Sequence, residues 1–254
     1  MKSSLSYCGQ VVRENDPDRF LLSLFAPANR RESLWALFAF NYEIARTREI
    51  VSETQLGLIR LQWWREEIGK IYDGGAISGH EVLGALAEAI KAHHLPRGMF
   101  ETLIYAREFD LEGRPPSNMD GFLNYADFTS TPLLSLALIV CGDDPDMEAV
   151  AAVAVNYALA GLLRAIPFHA AQGRSYLPED MMKASAGTIP EVVKGVAGQF
   201  VPGIRPASRF LRAVQGLAAI YMIQLHRCGY DPCNRKMAVP PAFREIRLAL
   251  WTGF

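Results

Sequence analysis

Residues 34–49 read LWALFAFNYEIARTRE, and their pattern is the strongest indication of the fold class. Its first nine residues carry no charge, and Leu34, Leu37 and Phe38 recur at the spacing of one helix face. A helix that is apolar on most of its sides belongs in a protein core. The stretch therefore predicts a buried helix, which we expect to continue to about Val51.

The same helical periodicity extends over the rest of the chain. A long helix is expected from Met147 to about Ala171, interrupted near Pro167, because proline removes a backbone donor inside a helix. We find no alternating strand pattern and no internal repeat. The sequence predicts one all-α domain over residues 1–254, in which residues 1–15 are a candidate flexible segment.

The composition argues against several classes of protein. The 254 residues are 50% hydrophobic and carry a formal net charge of −1, so a nucleic-acid-binding surface is not expected. No run of about 18 apolar residues occurs, which argues against a membrane-spanning helix. The N-terminus has neither an apolar signal core nor a targeting composition, so we expect a location on the cytoplasmic side. The four cysteines show no metal-ligand spacing and are expected to be free thiols.

A second stretch, residues 162–178, reads LLRAIPFHAAQGRSYLP. Together with residues 34–49, it resembles the two signature segments of the squalene/phytoene synthase family. In that family each segment carries an aspartate-rich motif that holds Mg²⁺ against a prenyl diphosphate. The metal neutralises the departing diphosphate. The resemblance implies an all-α, single-domain, isoprenoid-synthase-like helical bundle around a central apolar cavity.

The acidic positions of these motifs are mostly replaced in this chain. The resemblance places them at Ala45, Arg46, Glu49, Ala165, Phe168 and His169. Glu49 alone is acidic, and Arg46 reverses the charge. The lead-in Phe38-Ala39-Phe40 and the tail Gly173-Arg174-Ser175-Tyr176-Leu177-Pro178 match the family. We therefore expect the family scaffold without its metal site: no catalytic residue in place, no bound metal and no cofactor.

Further motifs match a divergent branch of the family that includes mitochondrial complex I assembly factor 6. They are Phe40-Asn41-Tyr42-Glu43-Ile44-Ala45, Val51-Ser52-Glu53 and Leu163-Arg164-Ala165-Ile166-Pro167-Phe168-His169. The resemblance implies a non-catalytic protein that assists assembly of respiratory complex I. Its expected partners are complex I subunits or assembly intermediates. An isoprenoid or quinone-like lipid is the candidate ligand of the cavity.

Residues of both segments are candidates for holding a lipid or a phosphate in that cavity, together with one residue of the helix that follows the first segment. They are Phe38, Asn41, Tyr42, Arg46, Gln62, Arg164, His169, Arg174 and Tyr176. Arginine can hold phosphate directly through bidentate contacts, although Arg46 also has Glu43 and Glu49 within one helical turn as ion-pair partners. We expect peripheral membrane contact through exposed apolar residues around the mouth of the cavity. The inner membrane of a bacterium, or the matrix side for an organellar form, is the expected location.

Two alternatives remain open. One is a working prenyltransferase that joins two prenyl diphosphates head to head with an altered metal site, and it would need Mg²⁺. The other is a lipid-binding module without an assembly role. The non-catalytic hypothesis is favoured by the loss of five of the six carboxylates together with the motifs of the branch.

Overall fold

The computed structural model describes residues 5–144 and 146–253. Within these ranges the regular elements are α-helices and short 3₁₀ turns, and no strand is present. The all-α prediction is confirmed. By its internal contacts the chain divides into two compact units: unit 1 comprises Met1–Glu112 and Pro132–Pro145, and unit 2 comprises Gly113–Thr131 and Asp146–Phe254. No linker-like composition marked this division, and the single-domain organisation stays a prediction.

Unit 1 is built around a helix that is buried on all sides. The described residues of its first segment form α1 (Tyr7–Asn15), α2 (Pro17–Ser23), α3 (Arg31–Ala45), α4 (Thr47–Ile50), α5 (Thr54–Asp73), α6 (Glu81–His93) and α7 (Arg97–Glu112). Residues 34–41 of α3 are all buried, and α1 and α6 pack along them. Residues 1–4 of the candidate flexible segment lie outside the described residues, and α1 accounts for most of the remainder.

Aromatic contacts fix α3 against its neighbours. Phe40 makes edge-on ring contacts with Trp64 of α5 and with Phe100 of α7, and the ring centroids are 5.5 Å apart in both pairs. Such edge-to-face pairs add to the stabilisation from burial of the rings. The predicted buried helix is confirmed, but its predicted end is wrong. It ends at Ala45 rather than near Val51, and α4 begins at Thr47.

The next helix, α8 (Met119–Cys141), contributes residues to both units and contains Pro132. Unit 2 then contains α9 (Met147–Arg164), α10 (Ile166–Ala171), α11 (Glu179–Ala184), α12 (Ile189–Ala197), α13 (Arg209–Arg227) and α14 (Arg244–Thr252). The break between α9 and α10 confirms the interruption predicted near Pro167. The central packing of unit 2 is that of α9 against α13.

Among the described residues, α9 is the one helix whose length and composition would suit a membrane crossing. Inside unit 2, however, its Asn156 is buried and hydrogen-bonded. The Asn156 amide donates to the Val201 carbonyl over 2.8 Å and to the Gln215 side chain over 3.0 Å. A buried polar group satisfied in this way is typical of a core helix.

Candidate functional site

The first signature segment changes direction at the former acidic positions. The chain leaves α3 after Ala45, passes through Arg46 and enters α4 at Thr47. The Arg46 N–H still donates to the Tyr42 carbonyl over 2.9 Å, while the Glu49 N–H donates to the Arg46 carbonyl over 2.9 Å. Ala45 and Arg46 are half-buried, whereas Glu49 is exposed. The remaining acid of the motif therefore lies in solvent rather than in a closed ligand set.

A buried carboxylate, Glu43, neutralises the arginine that replaces an acid. Its two oxygens accept from Arg46 Nη1 over 3.3 Å and from Arg60 Nη2 over 2.8 Å. The guanidinium of Arg46 also lies 5.2 Å from the ring centre of Tyr42. The charge of Arg46 is thus shared between a carboxylate and an aromatic face. The ion-pair alternative considered for Arg46 is present in the structure.

The other predicted residues of unit 1 have different environments. Phe38 is a core residue, and Gln62 is exposed. Asn41 is buried, and its side-chain oxygen accepts from Arg107 over 3.4 Å, while Arg107 also contacts Asp110 over 3.4 Å. Gln62 forms hydrogen bonds with neighbours on its own helix.

The second segment also breaks where its motif began. Helix α9 ends at Arg164, Ala165 is its C-terminal cap residue, and α10 starts at Ile166 with Pro167 in its first turn. Proline is favoured at this position because its missing N–H would have no helical partner. Phe168 is half exposed, and the centre of its ring lies 5.5 Å from that of the neighbouring His169.

Three predicted residues of unit 2 line one cavity. His169, Arg174 and Tyr176 face a space of about 170 Å³ whose other walls are mainly apolar, among them Phe122 and Leu163. The His169 ring lies 4.7 Å from that of Tyr176, which stacks on Tyr125 at 5.2 Å. No carboxylate is among the described residues that line this cavity.

Arg164 has an aromatic partner that sequence reasoning did not identify. Its guanidinium lies 3.4 Å from the centre of the Tyr221 ring, a distance typical of a strong cation–π contact. The Tyr221 hydroxyl in turn accepts from Arg244 over 2.8 Å. Tyr221 and Arg244 lie far along the chain from Arg164, so helical periodicity gave no signal for them. Arg60, the second partner of Glu43, was missed for the same reason.

The residues at the motif positions do not fit a magnesium site. Mg²⁺ requires oxygen ligands in near-octahedral geometry, usually with carboxylates among them. In residues 5–144 and 146–253, no three His, Cys, Asp or Glu side chains come together as a metal-binding group. At the motif positions, unit 1 offers the exposed Glu49 and the paired Arg46, and unit 2 offers His169. The cysteines, all four of them free, add no such group.

Curated relatives match this chain over most of its length. NADH dehydrogenase (ubiquinone) complex I, assembly factor 6, from Bos taurus is 30% identical over 82% of this chain and 66% of its own length. The Homo sapiens protein of that name is 32% identical over 69% and 53%. A chloroplastic phytoene synthase of Daucus carota is 25% identical over 73% and 48%. The chain thus spans about half to two thirds of the length of these relatives.

Two solved structures share the fold. A squalene synthase from Alicyclobacillus acidocaldarius superposes with a TM-score of 0.75 at 19% identity, over 89% of this chain and 94% of that chain. A dehydrosqualene synthase in complex with ligand gives 0.73 at 15% identity, over 97% and 94%. The predicted isoprenoid-synthase-like fold is therefore confirmed. Residues 12–219, which include both signature segments, match the squalene/phytoene synthase family model, and the chain belongs to that family.

Proposed function

We propose that this protein is a family member without prenyltransferase turnover and that it assists assembly of respiratory complex I. The observation that carries the proposal is the chemistry at the six motif positions. One of six retains a carboxylate, and the arginine at another is neutralised by Glu43. Without a carboxylate cluster at these positions, the described residues offer no ligand group to hold Mg²⁺ against a departing diphosphate.

The names of two relatives support the proposed assembly role. Two relatives at 30% and 32% identity carry the name complex I assembly factor 6, whereas the phytoene synthase of Daucus carota is 25% identical. Fold alone would not support a function, because one fold hosts many activities. The proposed partners are complex I subunits or assembly intermediates.

The cavity of unit 2 supports a lipid as a candidate ligand. Its walls are mostly apolar, and His169, Arg174 and Tyr176 add polar groups. We propose that it holds the apolar part of an isoprenoid or quinone-like lipid. A peripheral location at the inner membrane follows from this role, on the cytoplasmic side in a bacterium or the matrix side in an organelle. Extraction of the purified protein followed by mass spectrometry tests for such a lipid, and its absence would remove this part of the proposal.

Deletion of the gene tests the assembly role. We expect assembled complex I to fall on native gels of the deletion strain, and the wild-type gene to restore it. The matched variant is Glu49→Gln, which removes the last motif carboxylate without changing side-chain size. Because the proposal requires no metal chemistry, Glu49→Gln is expected to restore complex I as well as the wild type does.

Two results would contradict the assembly proposal. Normal complex I in the deletion strain would remove the role itself. Rescue by the wild type but not by Glu49→Gln, with equal protein levels, would show that the acid is needed and would favour the prenyltransferase alternative.

A further inference from the structure

The C-terminal part of unit 2 exposes a group of large apolar side chains. Val239, Phe243, Ile246, Leu250 and Trp251 have exposed fractions of 58%, 74%, 58%, 64% and 44%. We call these five residues the C-terminal apolar face. Contiguous exposed apolar side chains usually mark an interaction surface.

The helix α14 gives this face its shape. Ile246 and Leu250 are about one helical turn apart and form an apolar stripe on one side of α14, while Phe243, with a φ of 55°, is the N-cap residue just before the helix begins. Leu248 and Thr252 are buried on the other side of α14. The helix is therefore already docked on its own core, and the apolar stripe is a second apolar side.

Contacts inside unit 2 hold the face in place. The Gln224 amide donates to the carbonyls of Lys236 over 2.6 Å and Val239 over 3.0 Å. Helix α14 lies close to α13, since a Cβ atom built at Gly216 would approach the Trp251 ring to 2.7 Å. The face is consequently formed before any partner binds, which lowers the entropic cost of association.

Positive charge surrounds the face. Residues 234–253 contain four basic residues and one acidic residue, Glu245, in a chain whose formal net charge is −1. Arg235 and Lys236 are exposed and lie close to Val239 in sequence. Arg247 lies on α14 between Ile246 and Leu250 in sequence. Glu245 is paired with Arg244 over 3.1 Å. Among the described residues of this surface, the charge that remains outside the Arg244–Glu245 pair is therefore basic.

We propose that the C-terminal apolar face docks on an anionic lipid bilayer. Apolar side chains on one helix side with basic residues beside them are typical of helices that lie in the membrane interface. Trp251 suits that interface because its ring is largely apolar while its N–H can face water, and Phe243 adds apolar area. Lysine and arginine add electrostatic attraction to anionic headgroups.

A neighbouring groove supports the same occupant. An apolar groove of about 400 Å³ is lined by Phe200, Met222, Ile223 and Trp251 among others. Trp251 belongs both to this groove and to the C-terminal apolar face, so the two surfaces are continuous. The groove gives an acyl chain of a docked lipid an apolar space to enter.

Charge also argues against a second copy of the chain as the occupant. Two copies that met through this face would place the basic residues Arg235, Lys236 and Arg247 of both chains at one interface. Like charges placed together in an interface are destabilising. An anionic lipid surface neutralises the same residues.

Vesicle binding of the purified full chain tests the inference. The probes are vesicles of phosphatidylcholine alone and of phosphatidylcholine with phosphatidylglycerol, and the readout is the fraction of protein that floats with the vesicles. We expect binding to the mixed vesicles that weakens as salt is raised. Ile246→Asp and Lys236→Glu are each expected to weaken it by about tenfold or more. Leu250→Asn is a second variant that removes an apolar side chain from the face.

Matched controls lie on unit 1. Ile59 is 57% exposed, against 58% for Ile246, so Ile59→Asp introduces the same charge at the same exposure elsewhere. Lys91 is exposed as Lys236 is, so Lys91→Glu makes the same charge change. Both controls are expected to bind the mixed vesicles as the wild type does.

Three results would overturn the inference. They are equal binding to both kinds of vesicle, undiminished binding by the folded Ile246→Asp and Leu250→Asn variants, and a wild-type dimer that Ile246→Asp converts to a monomer. The last would assign the face to self-association. The inference rests on the proposed peripheral location and names the surface of the protein that contacts the membrane. Its test contains no complex I, so the assembly role can fail or stand separately.

Discussion

Glu43 joins two arginines of unit 1 through one buried carboxylate. It contacts Arg46 over 3.3 Å and Arg60 over 2.8 Å, and its side chain is 9% exposed. Replacement by Gln leaves both guanidinium groups without their counter-charge in a half-buried place. We predict that Glu43→Gln lowers the free energy of unfolding by about 1–2 kcal/mol, measured by urea denaturation.

The pair of Arg65 and Glu108 provides the control for this prediction. Its nitrogen–oxygen distance is 2.7 Å, but both side chains are 32% exposed, so solvent screens the attraction. Glu108→Gln is expected to cost less than about 1 kcal/mol. Equal losses for the two variants would show that burial of Glu43 adds nothing.

His93 gives stability a dependence on pH. Burial, followed by the charges of Arg30 and His94, lowers the pKa of His93 below 6.5. Its ring nitrogens lie 2.9 Å from Arg30 Nη1 and 3.0 Å from the Ser33 hydroxyl. Because the unfolded chain binds the proton at higher pH than the folded chain does, this contribution is present above pH 6.5 and is lost as pH falls toward the folded pKa.

Replacement of His93 tests that sign. We predict that the stability difference between wild type and His93→Gln is largest above pH 6.5 and shrinks as the pH is lowered through that value. Urea denaturation over a pH series measures the difference. A constant difference across the series would contradict the assignment to His93.

At the scale of elements, Gly57 sets how closely α5 approaches α7. A Cβ atom at Gly57 would come within 2.5 Å of a Leu111 methyl group, and these helices pack along each other. We predict that Gly57→Ala destabilises the protein by about 1–3 kcal/mol through overpacking, measured by urea denaturation.

The matched control is Gly84 in α6, where an added Cβ has no neighbour within 4 Å. Gly84→Ala is expected to stabilise the protein by up to about 1 kcal/mol, because alanine has the higher helix propensity. If both substitutions destabilised the protein equally, close packing of α5 on α7 would not be the cause.

The two breaks in the signature helices show what sequence can predict at this scale. The break between α9 and α10 was predictable, because Pro167 cannot continue a helix interior. The break at Arg46 was not, because residues 43–49 contain neither proline nor glycine. There the Thr47 hydroxyl contacts the Glu43 carbonyl over 3.5 Å while the Glu43 side chain reaches Arg60 of α5. The contact of Glu43 with Arg60 joins two helices, so helical periodicity does not reveal it.

At the scale of the whole molecule, apolar periodicity and the two signature segments were sufficient to predict the fold. The site was predictable in part. His169, Arg174 and Tyr176 line one cavity of unit 2, whereas the contact of Arg164 with Tyr221 depends on how α9 packs against α13. The role of these residues in holding a lipid or a phosphate stays a prediction. The division into two compact units was not predictable from sequence, because helical periodicity resumes on both sides of the unit boundaries.

Release of diphosphate tests whether the protein has lost prenyltransferase chemistry. The purified chain is incubated with farnesyl diphosphate or geranylgeranyl diphosphate and Mg²⁺, and free diphosphate is measured beside an active squalene synthase. With five of six motif carboxylates replaced, we predict release no faster than in the buffer without protein. Mg²⁺-dependent release at the rate of the active enzyme would contradict the claim that this family member has lost prenyltransferase chemistry.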